Sequence, residues 1–396
     1  MLATTDHLNL PFFDAVHRTL AVDLAKWAAT QSVDESDDRA ACKEWVRLLG
    51  DAGWLTYCVP AEFGGAMAQM DSRALVILRE TLAFYSPLAD FSFAMQGLGS
   101  GAITLAGTAA QRSAYLPDVA RGHKIAAFAL SEPDAGSDAG AMTTLGTLNP
   151  DSTYSLTGTK TWISNGGIAD YYCVFAKTEP TAGTRGISAF IVDAQTPGLD
   201  ASEHIEVMAP HPLAVLNFDH CTLPATALLG ELNGGFKLAM QTLDIFRASV
   251  AAAALGMARR ALAEAVHYAQ HRPMFGQRLS DFQLTQAKLG EMAALIDAGA
   301  MLTYRAAWMR DALGTATPAT VQAYTAAAAM AKMTATENAH KVVDMALQLH
   351  GGMGVKVGSK VESLYRDVRA LRIYEGATEV QQLIIGKSVL KSRAKA

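Results

Sequence analysis

The spacing of apolar residues changes twice along this chain. Up to about residue 122, apolar side chains recur every three or four positions, a period that places them on one face of a helix. This pattern predicts an N-terminal helical domain over residues 1–122. Its helices are expected around Trp45–Ala52, around Leu75–Tyr85, from Ile103, and from Gln111 to a break near Pro117.

Short β-prone runs replace the helical pattern from about residue 124. Turn residues separate these runs and no helix-length segment lies between them, which favours antiparallel over parallel pairing. We predict an antiparallel, β-barrel-like domain over residues 123–232. The runs are Ile125–Leu130, Tyr154–Thr157, Thr161–Ser164, Tyr171–Ala176 and Ile187–Val192.

Helical spacing returns after about residue 236 and continues almost to the end of the chain. Long patterns cover Gln283–Leu313, Ala319–Leu349 and Thr378–Lys391. Long helices joined by short loops are typical of a four-helix bundle, which we predict over residues 233–396. The expected fold class is therefore α+β, with a helical domain on each side of a β-domain.

Composition narrows the range of functions. Hydrophobic residues make up 50% of the 396 positions and charged residues 18%, which is too apolar for a disordered chain. A net charge of −5 lacks the basic excess of nucleic-acid-binding proteins. Four scattered cysteines predict no disulfide framework, and His267 and His271 lack a third metal ligand. With no signal-like start and no apolar run long enough to cross a bilayer, we expect a cytoplasmic protein without a membrane span.

Five motifs combine turn residues with groups that can bind a ligand. The first ends a β-run in a loop rich in serine and glycine, whose backbone N–H groups can hold a phosphate or the polar edge of a ring. Taken alone, this motif also fits an ordinary loop, and Trp162 in the second also fits a core side chain near a hairpin turn. The motifs are Phe128–Asp138, Thr157–Gly167, Arg272–Gln283, Gln348–Gly354 and Arg366–Gln381.

Glu375 is a carboxylate in an unusual local setting. It lies between Tyr374 and Gly376, in a break before a predicted helix. Burial in such an apolar turn raises the basicity of a carboxylate, as a general base requires. A solvated glutamate at a helix start is the alternative that these residues leave open.

In this order and at these separations, the five motifs resemble those of the acyl-CoA dehydrogenase family, and the resemblance covers nearly the whole chain. It implies an FAD-dependent enzyme, usually a homotetramer, that acts on acyl-CoA and passes electrons to an electron-transfer flavoprotein. In the implied reaction, Glu375 removes the α-proton of the thioester and flavin N5 accepts a hydride from the β-carbon, giving a trans-2-enoyl-CoA. The thioester carbonyl oxygen would accept hydrogen bonds from a flavin ribityl hydroxyl and from the backbone N–H of Glu375.

The resemblance also implies roles for single residues. Around the flavin ring and pyrophosphate these are Phe128, Leu130, Ser131, Ser137, Trp162 and Ser164. Around the adenosine half, partly across a subunit boundary, they are Arg272, Phe275, Phe282, Gln283, Gln348, Gly351 and Gly352. After the base, the residues lining the cofactor are Ala377, Thr378 and Glu379, and those contacting acyl-CoA are Ser137, Asp244, Arg247 and Gly376.

Some residues depart from the family pattern. Ala377-Thr378 follows Gly376 where Thr-Ser is usual, so one hydroxyl near the flavin is missing, and Met208–Leu216 replaces a longer polar run. Phe246 stands where some members place their base, which leaves Glu375 as the sole candidate.

Other functions also fit these residues. One is a flavin oxidase or monooxygenase of the same fold, and another is a dehydrogenase whose acyl group rides on a carrier protein. A third is a non-catalytic helical scaffold. Retention of Glu375 argues against the monooxygenase, which needs no base at this point.

Overall fold

The computed structural model describes residues 3–312 and 317–393 of the chain. Contacts between Cα atoms divide it into two compact units. The bundle unit takes the described residues of Met1–Ser32, Asp71–Asp90 and Asp244–Ala396, and the sheet unit takes Val33–Met70 and Phe91–Leu243. The three-domain boundaries at residues 122 and 232 stay predictions.

Helices dominate the chain before residue 122, as expected. They are α1 (Ala15–Ala28), α2 (Asp38–Asp51), α3 (Ser72–Tyr85), α4 (Pro87–Ala106) and α5 (Ala109–Arg121). The predicted start at Ile103 is wrong because residues 87–106 are mostly apolar or small on every side and so show no one-sided spacing. The predicted break near Pro117 is also wrong, because this proline lies inside α5. The helix ends at Arg121 and is capped by Gly122, whose left-handed conformation (φ 73°) suits glycine.

One sheet of eight strands forms the core of the sheet unit. The strands are β1 (Ala126–Ala129), β2 (Leu145–Leu148), β3 (Tyr154–Ser164), β4 (Tyr171–Lys177), β5 (Ile187–Asp193), β6 (Leu199–Asp200), β7 (Leu213–Leu223) and β8 (Leu228–Leu229). Their order is β6-β7-β3-β2-β4-β5-β8, with β1 beside β4. Most pairs are antiparallel, as predicted, whereas β1 and β2 run parallel to β4.

Strand β3 contains both of the predicted runs Tyr154–Thr157 and Thr161–Ser164. Its register against β7 shifts between Leu156 and Gly158 and again between Lys160 and Ile163. Such bulges insert extra residues without ending the strand, and they redirect side chains. The polar, glycine-containing segment that separated the two predicted runs is therefore the site of a bulge and not of a turn.

The remaining long helices belong to the bundle unit, apart from the first part of α6, which the division at Asp244 leaves in the sheet unit. After α6 (Gly235–His271), a hairpin of β9 (Pro273–Met274) and β10 (Gln277–Arg278) leads to α7 (Gln283–Asp311), α8 (Pro318–His350), α9 (Lys360–Ala370) and α10 (Thr378–Arg393). Leu313, the predicted end of α7, lies outside the described residues. Small residues let these helices approach closely: a Cβ at Gly256 of α6 would overlap the carbonyl oxygen of Glu80 in α3. The fold class is thus α+β as predicted.

Helix α6 is unusually apolar. Alone among the helices of the described residues, it is long and apolar enough to cross a membrane, contrary to the expectation that no such run exists. However, 78% of its most apolar window is buried in the protein. Burial to this extent is typical of a helix in a protein core.

Candidate active site

Glu375 lies in the turn between α9 and α10. Both Glu375 (φ 53°) and Gly376 (φ 94°) have left-handed backbone conformations. Glycine adopts this conformation freely, whereas it costs other residues on the order of 1 kcal/mol. Strain of this kind persists only where the surroundings hold the backbone in place.

Two buried side chains hold this turn through the carbonyl oxygen of Gly376. Lys332 Nζ, from α8, donates to that oxygen at 2.7 Å, and Gln381 Nε2, from α10, donates at 2.9 Å. A Cβ at position 376 would overlap the Gln381 amide. Glycine is therefore required here by the space as well as by the backbone angle.

The carboxyl group of Glu375 is incompletely paired. Its Oε2 is buried and has no hydrogen-bond partner within the described part of the chain. Burial raises the pKa of Glu375 above its ordinary value of 4.5, and the positive charges of Arg79, Lys332 and Arg247 act against this rise. A carboxylate with a raised pKa and an unused oxygen is suited to accept a proton.

The first of these charges belongs to a buried ion pair that sequence analysis missed. The Arg79 guanidinium donates to both carboxylate oxygens of Asp90, at 2.8 and 2.9 Å, and to Ser249 Oγ at 3.1 Å. The Arg79 and Asp90 side chains are each 2% exposed. Two parallel hydrogen bonds fix the guanidinium in one orientation. The signal in the sequence was a pair of charged residues within mostly apolar helices.

Asp244 and Arg247, predicted to contact the substrate, form an ion pair with each other on α6. Asp244 also accepts a hydrogen bond from Thr325 Oγ1 at 2.9 Å. Arg247 is 5% exposed, and its Nε has no hydrogen-bond partner among the described residues. The bundle unit thus brings Arg247 within electrostatic reach of Glu375.

The residues after the predicted base begin α10. Thr378 Oγ1 donates to Glu337 Oε1 at 2.7 Å, and Arg372 Nε donates to the same oxygen at 2.8 Å. Because the Thr378 hydroxyl already donates its hydrogen to Glu337, it can only accept a hydrogen bond from a ligand. Ala377 contributes no side-chain polar group, and Glu379 is exposed.

Four residues predicted to hold the adenosine half lie together between α6 and α7. The hairpin of β9 and β10 places Phe275 at its tip, where the side chain is 91% exposed. Its ring lies edge-on to Phe282, with 6.4 Å between the ring centroids. Arg272 and Gln283, at the two ends of this connection, are also exposed.

The last three of that set, Gln348, Gly351 and Gly352, are at the C-terminal end of α8 and are exposed. Tyr268 of α6 stacks on His350 of α8 with 4.4 Å between the ring centroids. The ends of the two helices are therefore neighbours. The structure brings both segments of the predicted adenosine-half set to one end of the bundle unit.

In the sheet unit, the predicted flavin residues gather at the ends of β1 and β3. The backbone N–H of Thr161 donates to the carbonyl oxygen of Ser131 at 3.0 Å, which joins the two segments. Trp162 lies in the second bulge of β3 with φ 60° and is 58% exposed, so it is not a core side chain. Phe128 is in β1, Leu130 and Ser131 follow it, and Ser164 ends β3.

Ser137 lies apart from this group. It is exposed, in the loop before the short helical turn Ala139–Ala141. No hydrogen bond within the described residues joins it to the segments around β1 and β3.

A second buried ion pair, also missed by sequence analysis, underlies this part of the sheet unit. Lys160 Nζ donates to Glu132 Oε1 at 2.8 Å and to the carbonyl oxygen of Leu130 at 3.0 Å. Backbone N–H groups of Thr143 and Thr144 donate to Glu132 at 2.6 and 3.0 Å. Burial favours the neutral carboxyl, but these donors outweigh it and hold the pKa of Glu132 at about 2. In the sequence, the signal for this ion pair was a lysine, Lys160, within a β-prone segment.

Comparison with known proteins identifies the family. Family models for the N-terminal, middle and C-terminal domains of acyl-CoA dehydrogenase match residues 12–123, 127–221 and 233–390. The chain belongs to the acyl-CoA dehydrogenase family. It is 39% identical to the 3-(aryl)acrylate reductase of Clostridium sporogenes over 387 residues, which cover 96% of this chain and 100% of that one.

Two further proteins extend the comparison. The chain is 36% identical to the caffeyl-CoA reductase-Etf complex subunit CarC of Acetobacterium woodii, over 94% of this chain and 97% of that one. It is also similar to the crystal structure of an acyl-CoA dehydrogenase from Bacillus anthracis complexed with FAD, with a TM-score of 0.87 and 30% identity. That match covers 97% of this chain and 68% of the other. As a member of this family, the protein is an FAD-dependent oxidoreductase, and the scaffold alternative is excluded.

The residues of the sheet unit fit a flavin. The exposed indole of Trp162, fixed on a bulged strand, offers a flat apolar surface to a planar ring. The hydroxyl groups of Ser131 and Ser164 lie on the two segments that the Thr161 hydrogen bond joins. Aromatic and hydroxyl side chains of this kind suit the ring and its polar edge.

Proposed function

We propose that this enzyme dehydrogenates an acyl-CoA thioester to the trans-2-enoyl-CoA, with Glu375 as the base that removes the α-proton. The observation that carries the proposal is the buried Oε2 of Glu375, which has no hydrogen-bond partner among the described residues and lies in a strained turn held by its neighbours. A thioester α-proton is weakly acidic, so its removal needs a desolvated base that is already in position. Glu375 meets both conditions.

The carbonyl oxygen of the thioester needs hydrogen-bond donors as negative charge builds on it. The backbone N–H of Glu375 has no acceptor within the described residues, which leaves it able to donate to that oxygen. Because Gly376 and its hydrogen bonds fix the backbone of this turn, donor and base stay in one geometry. The ion-paired Arg247 and Asp244 are proposed to contact the thioester arm, together with Ser137 and Gly376.

Bound FAD supplies the hydride acceptor. We propose that Trp162, Ser131 and Ser164 hold the flavin ring, with Phe128, Leu130 and Ser137 around it. The exposed segments at the shared end of α6 and α8 would hold the adenosine half. Ala377, Thr378 and Glu379 would line the cofactor beside the base.

The reverse reaction is a second candidate, because both curated relatives described above are named as reductases. In that direction protonated Glu375 returns the proton to the α-carbon of an enoyl-CoA. The name of CarC as a subunit of an Etf complex supports an electron-transfer flavoprotein as the electron partner. We also propose a cytoplasmic homotetramer.

The test is anaerobic bleaching of the flavin absorbance by a panel of saturated acyl-CoAs that differ in length, branching and aryl content. Reoxidation of the reduced enzyme by the matching enoyl-CoAs measures the reverse direction. Glu375→Gln should slow both by about 10³-fold or more, with FAD content and acyl-CoA binding retained. Glu362→Gln removes a glutamate that pairs with Arg366 on α9 and should leave both rates unchanged. Near-normal bleaching in Glu375→Gln would overturn the proposal.

A further inference from the structure

Lys332 is a buried cation whose positive charge has no role in the proposed reaction. It lies inside α8, is 0% exposed, and donates from Nζ to the carbonyl oxygen of Gly376 at 2.7 Å. Among the described residues, no carboxylate lies within ion-pair distance of it. Since burying a lysine without a direct counter-ion is costly, its presence here calls for a reason.

The charged groups around Lys332 come from four parts of the bundle unit. They are Glu375 from the turn, Arg247 from α6, Glu337 from α8 itself and Glu379 from α10. Glu337 already accepts hydrogen bonds from two other side chains, and Arg247 is paired with Asp244. Glu375, by contrast, keeps one buried oxygen unpartnered within the described residues, and it exerts the largest charge effect on the lysine.

We propose that Lys332 is the positioning residue of the catalytic base: its hydrogen bond to the carbonyl oxygen of Gly376 holds the left-handed turn, and its positive charge acts on the carboxylate of Glu375 before substrate binds. This inference rests on the proposed role of Glu375. The hydrogen bond and the charge act on different properties. The hydrogen bond fixes the position of the carboxylate, and the positive charge affects the pH at which the carboxylate becomes ionised and able to take up a proton.

The two effects on Glu375 oppose each other in a useful way. Burial makes the carboxylate more basic, but it also favours the protonated form, which cannot take up the α-proton. The positive charge of Lys332 favours the ionised form and so acts against the effect of burial. Burial lowers the pKa of Lys332 to about 8, and the negative charge of Glu375 acts against this fall.

The test isolates proton removal from flavin reduction. A 3-oxa-acyl-CoA has oxygen at the β-position, so no hydride can leave, while its α-protons can still exchange with solvent. The FAD-loaded enzyme is incubated in D₂O with this thioester below its saturating concentration, so that the pH dependence of the rate reports the free enzyme. Deuteration at the α-carbon is followed by mass spectrometry across the pH range in which the protein stays folded. The variants are Lys332→Gln, Lys332→Met and Lys332→Arg, with Lys341→Gln, exposed on the same helix, as the control.

The expected results separate charge from hydrogen bond. Lys332→Gln keeps a donor for Gly376 but no charge, so the midpoint of the exchange rate against pH should rise by about one unit, with the plateau rate within a few-fold of the parent. Lys332→Met should show the same rise and a plateau lower by about tenfold or more, because the turn is also released. Lys332→Arg and Lys341→Gln should keep the parental midpoint.

The outcomes that contradict the inference are equally distinct. If Lys332→Gln and Lys332→Met lower the plateau alike and leave the midpoint unchanged, the lysine only supports the fold and the inference is wrong. If Lys332→Met does not fold, the midpoint in Lys332→Gln alone tests the inference: a rise supports it and an unchanged midpoint contradicts it. Exchange that persists in Glu375→Gln would instead remove the proposed base, which distinguishes failure of the proposed function from failure of this inference.

Discussion

Glu132 in the sheet unit and Glu375 in the bundle unit are both desolvated, but their surroundings shift the pKa of the two carboxyl groups in opposite directions. The carboxylate of Glu132 accepts hydrogen bonds from Lys160 Nζ, from two backbone N–H groups and from the Thr143 hydroxyl. Its pKa falls to about 2 although burial acts in the other direction. Glu375 leaves Oε2 without a partner among the described residues, and its pKa rises because burial prevails.

The lysines show the same contrast. Lys160 bonds directly to the carboxylate of Glu132, whereas Lys332 bonds to a backbone carbonyl beside Glu375. In the first case the cation neutralises the carboxylate and ties two segments together. In the second it holds the backbone and leaves the carboxylate free to react. The number of donors at the carboxylate, more than its burial, separates a structural glutamate from a reactive one.

The largest expected effect comes from breaking the structural pair. Lys160→Met leaves the buried Glu132 without its cation and should lower the free energy of unfolding by about 3–5 kcal/mol, measured by chemical denaturation. Lys177→Met, at the partly exposed end of β4, should change it by no more than about 0.5 kcal/mol. A loss below about 1 kcal/mol in Lys160→Met would show that the pair does not support the sheet unit.

The same substitution at the two glutamates should have unequal effects. Glu132→Gln replaces a charged acceptor of four hydrogen bonds and should lower the free energy of unfolding by about 2–3 kcal/mol. Glu375→Gln removes an incompletely paired buried charge and should leave stability unchanged or raise it by about 1 kcal/mol. Equal losses in the two variants, measured by the same denaturation assay, would remove the contrast between the sites.

Acidification should act on the two glutamates with opposite signs. The depressed pKa of Glu132 contributes stability that is present above its ordinary value of 4.5 and is lost as the pH falls towards about 2. The raised pKa of Glu375 contributes stability below 4.5 that is lost as the pH rises through the raised value. Relative to the parent, the stability lost between about pH 6 and about pH 3 should be smaller by about 2 kcal/mol in Glu132→Gln and larger in Glu375→Gln. Identical losses in all three proteins would contradict both assignments.

A smaller effect is expected from the turn itself. Gly376→Ala places a Cβ against the Gln381 amide at a left-handed backbone position and should cost about 1–2 kcal/mol of stability. Gly386→Ala, in an open position on the exposed side of α10, should be neutral or stabilising by up to about 1 kcal/mol. Equal thermal denaturation midpoints for the two variants would show that the turn is not held as described.

The fold class and the position of the candidate base could be predicted from the sequence because both leave local patterns. Helical spacing and β-prone runs follow the three regions, and Glu375 stands out beside a glycine in a break between helices. The exact extents were harder to predict. Helix α4 has no polar face to reveal its start, and β3 continues through a bulge that resembles a turn in the sequence.

The partners of the two glutamates could not be found in this way. Arg79 and Asp90 are eleven positions apart on different helices, and Lys332 meets Gly376 only through the packing of α8 against the turn. Such contacts depend on tertiary structure, which one sequence does not show. The exposure of Trp162 likewise depends on a bulge in β3, and not on the residue itself.

The most direct test of the central claim is infrared spectroscopy of the FAD-loaded enzyme as a function of pH, which reports protonated carboxyl groups. We predict a component of the protonated-carboxyl band that titrates above the ordinary glutamate value of 4.5, disappears in Glu375→Gln and persists in Glu132→Gln. A band that titrates identically in the parent and in Glu375→Gln would contradict the claim that Glu375 is a desolvated carboxyl group with a raised pKa, the property for which we propose it as the base.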